Sequence, residues 1–250
     1  MVDDLFYFVF GITPGEIDNK GLEKAVSKAY LDLSRTIKYR FSTSDLEKKA
    51  KDEENKKAKI GFKITKDLFI NNMKDAIISG IKTYPKNQVH DFPNELKVDS
   101  KYNEHSEFDG WHFNLTMELL EITEKYRIKG LFKDNCTFSC GQAQKWINMT
   151  LKYIRIMGIL DEYGFNETDI HVPLDDYILA AMRKSVNEKI CSSYDVNGLG
   201  IAVDEKVKWS LIDNYEEYYE YQSRIREKSD NPIEWESKAW IAEAIERANK

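Results

Sequence analysis

The sequence predicts an all-α protein of about seven or eight helices in two layers, with at most a short N-terminal strand. Three observations carry this. Apolar residues recur at three- and four-residue steps along most of the chain. The ends of those runs carry helix-start and helix-stop residues. Only Leu5 to Phe10 and Ile60 to Thr65 have the composition of strands.

Leu22, Val26, Ala29, Tyr30, Leu33 and Ile37 form one buried helical stripe, and Leu68, Phe69, Met73, Ile77 and Ile81 form the next. Gly80 and Tyr84-Pro85 mark where the second helix stops. Between them Asp45 to Lys59 is rich in lysine and acid, which predicts a helical excursion on the surface. Pro85 to Tyr102 lacks periodicity and reads as a loop. It suggests an N-terminal helical layer over 1–84, a connector over 85–107 and a C-terminal layer over 108–250, or one continuous domain. Trp111, Leu115, Leu119, Ile122 and Tyr126 predict a long amphipathic helix closed by Gly130. The next starts at Ser139-Cys140-Gly141-Gln142, an S-x-x-Q capping box, and runs to about Met157. Ile170 to Pro173 reads as extended, because a residue before proline avoids the helical region. A helix follows from Asp175 to about Val186, then a loop over Tyr194 to Ala202. Lys208 to Lys228 and Pro232 to Ala248 predict the last two helices, with Asp230 or Asn231 capping and Pro232 in the first turn.

The chain has 250 residues, 42% of them hydrophobic, enough to bury a substantial core. Its net charge of −6 argues against a protein coated in basic surface but leaves room for a local basic stripe. No apolar run approaches the roughly 20 residues of a membrane span, so the expectation is a soluble, cytoplasmic protein with no membrane partner. Cys136, Cys140 and Cys191 are too few for a disulfide scaffold. Cys136 and Cys140 would give zinc only two ligands, and they read more simply as thiols around a helix start. Neither a metal nor a cofactor is expected. Phosphate-loop, dinucleotide, zinc-protease and nucleophile-elbow motifs are absent.

The most informative stretch runs from Gly141 to Ile178. Lys145 sits in the second turn of a capped helix, and Asp175 stands at the next helix start. A lysine amine in a desolvated site can attack an electrophilic carbon and form a Schiff base. An aspartate at a helix N-terminus stays ionised and stabilises a developing cation. The plainer reading makes Asp175 a helix cap, and places Lys145, Asn148, Lys152 and Arg155 on a solvated stripe opposite Trp146, Ile147, Leu151 and Ile154.

This layout, QAQKWINMTLKY followed by IHVPLDD, resembles the helix-hairpin-helix DNA glycosylases, and most closely their archaeal 8-oxoguanine branch. The resemblance covers about forty residues. It implies a two-layer helical fold with a cleft between layers and a bifunctional glycosylase and β-lyase acting on a flipped oxidised purine in duplex DNA. It would make Lys145 the nucleophile and Asp175 the catalytic carboxylate. Trp146, Trp111 and His171 are candidates for the base pocket by residue type. Ser139, Gly141, Lys152 and Arg155 are candidates for DNA contact. The hairpin departs from the family in having one glycine, Gly141, where a Gly-x-Gly turn offers amides to phosphate. The competing expectation is a non-catalytic helical module that meets a protein partner through its acidic surface and C-terminal aromatics, although core packing is the favoured reading for most of those aromatics.

Overall fold

The computed structural model describes residues 7–48, 53–84 and 106–249. It is mostly helical, with a single two-stranded sheet among the described residues. Helix α1 (Ile17–Ser34) buries Leu22, Val26, Ala29 and Leu33, as the stripe predicts, against the central helix α5 (Cys140–Ile156). A short α2 (Thr43–Glu47) is closed by a Ser42–Asp45 capping box. Helix α3 (Glu53–Thr83) then runs for 31 residues. Its first two turns are exposed and charged, and its later turns bury Phe69, Met73, Ile77 and Ile81, while Leu68 stays exposed. Leu5 and Phe6 lie outside the described residues; over the rest, the two strand expectations fail for a common reason. Residues 7–10 are helical, and 60–65 lie inside α3, because a short apolar run does not distinguish strand from helix without its neighbours.

Helix α4 (Glu107–Ile128) starts at a Ser106–Asp109 capping box and ends at Gly130, whose positive φ of 72° suits glycine. The connector expected over 85–107 falls outside the described residues apart from Ser106 and Glu107, which open this helix. Residues 129–139 lead to α5 through turns at 129–130 and 134–135, tied to residue 39 by a Tyr39–Phe132 bridge, and not as a tight glycine hairpin. The α5 start is as the motif predicts: Gln142 N–H donates to Ser139 Oγ at 3.1 Å and Ser139 N–H to Gln142 Oε1 at 3.0 Å. Most of α5 is buried on every side, so it is the axis of the fold and not an amphipathic surface helix.

After an extended segment at 171–175 come α6 (Asp176–Arg183), the antiparallel strands β1 (Lys189–Cys191) and β2 (Tyr194–Asn197), a 3₁₀ turn at Trp209–Leu211, α7 (Tyr215–Lys228) and α8 (Pro232–Ala248). The stretch expected as a loop after Tyr194 therefore begins as β2, and the helix expected from Lys208 starts only at Tyr215, capped by Asn214. Asn231 caps α8 and Pro232 holds its first position. Helix α8 packs on α6 and on the hairpin. The buried residues from Phe10 to Ala242 form one continuous cluster, which joins the two predicted layers in a single core. No described helix is long and apolar enough to cross a membrane.

Candidate active site

Asp175 is placed by a buried polar scaffold. Val172 is strapped to α7 by Gln222, which accepts from its N–H at 3.0 Å and donates to its carbonyl at 2.9 Å. Asn148 of α5 donates to the same carbonyl. The chain thus reaches Asp175 in extended form, and Asp175 caps α6 with Oδ1, which accepts from the N–H groups of Tyr177 and Ile178 at 3.0 Å each. Its other oxygen, Oδ2, faces the opposite way, accepting from Lys145 Nζ at 2.9 Å and Trp240 Nε1 at 3.1 Å. The cap and the lysine partner are therefore two halves of one carboxylate. Burial pushes the Asp175 carboxyl up, but the Lys145 charge, its hydrogen bond and the other donors outweigh this and hold it below the usual carboxylate range.

The pair lies in a cleft of about 510 Å³ between α1, α5, the start of α6, the Trp209 turn and α8. Its walls are aromatic. Lys145 Nζ sits 5.9 Å from the Trp209 ring centre, and Tyr177 and Trp240 pack with ring centres 5.0 Å apart. A second pair joins half-buried Lys152 Nζ to the buried Glu236 Oε2 at 2.6 Å. Burial lifts the Glu236 carboxyl above its ordinary value despite that lysine, and its Oε1 has no hydrogen-bond partner among the described residues. Lys28, Arg35, Lys145 and Lys152 balance Asp32, Asp175, Asp176 and Glu236 around the cleft, so its interior suits a ligand group near neutrality.

The other predicted residues divide sharply. Lys152 lines the cleft. Arg155 stands outside it, paired with Glu167. Asn148, expected on the same stripe, is fully buried. Trp146 and Trp111 do not line the cleft. Both are core residues, their indole N–H groups donating to the carbonyls of Val26 at 2.9 Å and Gly80 at 3.0 Å. Ser139 and Gly141 are covered by the Trp209 turn and are closed to phosphate. Ser139 Oγ donates to the Ser210 carbonyl, Gly141 N–H donates to that of Ile212, and a Cβ on Gly141 would lie 1.8 Å from the Trp209 oxygen. Cys140 is buried, which with Asp213 and Glu217 nearby pushes its thiol up to about 12. The described residues hold no cluster of three metal-ligating side chains around it or elsewhere.

His171, expected in the same cleft, lies elsewhere. It does not reach the cleft but belongs to a buried chain of side chains behind it. Nε2 donates to the Asp109 carboxylate at 2.7 Å, so Nδ1 accepts from Tyr218 O–H at 2.7 Å. Asn148 donates to that hydroxyl, and its carbonyl accepts from His112 Nε2 at 3.0 Å, leaving His112 Nδ1 to accept from Tyr215 O–H at 2.8 Å. Burial, with Arg226 adding to it, pushes His171 down to about 4, and burial holds His112 well below its ordinary value. Both are neutral in the fold but take a proton in the unfolded chain below about pH 6.5, so stability falls as pH falls. The expected loss between pH 6.5 and 4.5 is up to about 1.4 kcal/mol per pH unit per histidine, steepest in the middle of the interval, read as the urea midpoint. A midpoint that stays level over that interval would contradict the buried neutral pair.

Glu236, Trp209 and Trp240 are the site residues that motif reading missed. The signals open to it were a glutamate on the apolar face of α8 and two tryptophans, Trp209 ahead of α7 and Trp240 within α8. The fold and cleft together define a helical protein with a buried lysine–carboxylate pair beneath aromatic walls. Comparisons of the chain with family models, with curated proteins and with solved structures returned no match.

Proposed function

We propose that the protein is a DNA glycosylase and β-lyase that removes an oxidised purine through a Schiff base on Lys145. The observation that carries this reading is the meeting of Lys145 and Asp175 at 2.9 Å inside a cleft walled by Trp209, Trp240 and Tyr177. The volume of about 510 Å³ suits an extruded nucleotide, and aromatic faces stack a flipped base whatever its edge.

In this reading the Lys145 amine, once it has lost a proton, attacks C1′ of the sugar. The new N–C bond forms as the bond to the base breaks, and the base leaves with the electron pair and takes up the proton that the lysine sheds. The ionised Asp175, held by two amides, stabilises the positive charge that develops at the sugar. Ring opening gives the imine, and loss of a C2′ proton then expels the 3′ phosphate. Glu236, lifted by burial and within the electrostatic reach of Lys145, is the group suited to receive a proton.

The test is borohydride trapping on duplex DNA carrying 8-oxoguanine. Borohydride reduces the imine to a stable amine, so the expected product is a covalent protein–DNA adduct with Lys145 as the modified residue on peptide mapping. Folded protein that yields no adduct on 8-oxoguanine or abasic-site DNA would overturn the proposal in favour of a non-catalytic interaction module.

A further inference from the structure

A second groove, of about 480 Å³, lies beside the cleft and is lined by Arg35, Lys38, Lys66 and Lys133 with Tyr39 and Phe41, and by no carboxylate. Among the described residues none of the four cations forms an ion pair, in a chain whose net charge is −6. Asp67, next to Lys66, is close enough to act on Tyr30 at the groove but does not line it.

The arrangement is built by the backbone. The Tyr39–Phe132 bridge sets Lys38 directly opposite Lys133, with Lys133 N–H donating to the Lys38 carbonyl at 2.9 Å and Arg40 N–H to that of Leu131 at 2.9 Å. Like charges held opposite one another across a bridge are destabilising unless something between them carries negative charge. Lys66 adds a third charge, with Nζ 4.5 Å from the Tyr39 ring centre, and that ring is itself stacked on Phe132. Arg35 lines both this groove and the cleft, so the two depressions meet at the end of α1.

We infer that this groove seats the phosphodiester backbone of a nucleic-acid strand and leads it past Arg35 to the cleft. The inference rests on the proposed base site only for the direction of the strand. It gives an acidic protein a place for a polyanion: four cations stand together in one track without a lining carboxylate, while the cleft itself is balanced. It also moves the backbone contact away from Ser139 and Gly141, whose polar groups are already spent within the fold.

The test measures binding of an undamaged, labelled 20-mer duplex by fluorescence anisotropy over a range of salt concentrations. Each phosphate neutralised contributes about 0.9 to the slope of log affinity against log salt. K38Q/K133Q should therefore lower that slope by about 2 and weaken binding about tenfold or more at low salt. K82Q/K206Q, the same charge change away from the groove, should keep the wild-type slope. K38Q/K133Q should melt no lower than wild type, since it relieves a repulsion. A wild-type slope for K38Q/K133Q, or displacement of the duplex by polyglutamate as effectively as by unlabelled DNA of equal charge, would overturn the inference. Because undamaged DNA offers no lesion, an altered slope without any borohydride adduct would sink the cleft chemistry alone.

Discussion

Lys145→Ala is expected to lose the borohydride-trapped adduct entirely while still unfolding cooperatively. The substitution removes the amine but leaves Asp175 bonded to two amides and the Trp240 indole, so no buried carboxylate is stranded. Its stability cost should then fall below the roughly 3–5 kcal/mol typical of a broken buried ion pair. Asp175 separates chemistry from architecture more finely. Asp175→Asn keeps an oxygen for the α6 cap and removes the charge, so adduct formation should slow by about 10²–10⁴-fold. Asp175→Ala also loses the cap and should be about 1 kcal/mol less stable than the asparagine variant. An adduct that persists in Lys145→Ala would move the nucleophile to Lys152, the half-buried second lysine that α5 sends into the cleft.

Asp109→Asn should have the largest effect on stability. Asp109 is fully buried, receives Arg226 through both terminal nitrogens at 2.6 and 3.1 Å, and accepts from His171 and Tyr219. Burial pushes its carboxyl up, yet His171 and Arg226 together bring it well below the usual range. Removing the charge leaves the largely buried Arg226 guanidinium without its charged partner, at a cost of up to about 3–5 kcal/mol. That is a large part of the roughly 5–15 kcal/mol that holds a domain folded. Its own pH signature is the reverse of an unpaired carboxylate's loss. A depressed folded pKa contributes stability above about pH 3.8 and loses it only in stronger acid, below the histidine interval. A change in urea midpoint worth less than about 1 kcal/mol would mean that Arg226 does not depend on Asp109.

Some helix starts were legible, because a cap is a local bond between residues two or three apart, although the Asn214 cap that opens α7 was not. Ser139 with Gln142 and Asp175 with its amides read directly from sequence, and the α8 cap was narrowed to Asp230 or Asn231, of which Asn231 holds it. Burial stripes were legible for the same reason, since helical spacing alone decides which residues share a face. What escaped was pairing between distant helices. Lys152 meets Glu236 and Asp109 meets Arg226 across 84 and 117 residues, and nothing in the local pattern of either marks its partner. Trp146 and Trp111 show the converse error. Residue type suggested a base pocket, but their indoles are satisfied by core carbonyls and leave no free face. Sequence found the lysine and the aspartate; only the fold supplied the aromatic walls around them.

The chain of side chains from Asp109 to Tyr215 has a kinetic consequence. Each member's donor direction is set by the one before it, so a single imidazole cannot turn over unless the others reorient with it. The ring protons on His171 and His112 are shielded from solvent on all sides. In heavy water their exchange requires the whole packed centre to open, so their lifetimes would time global unfolding and ignore the fraying of helix ends.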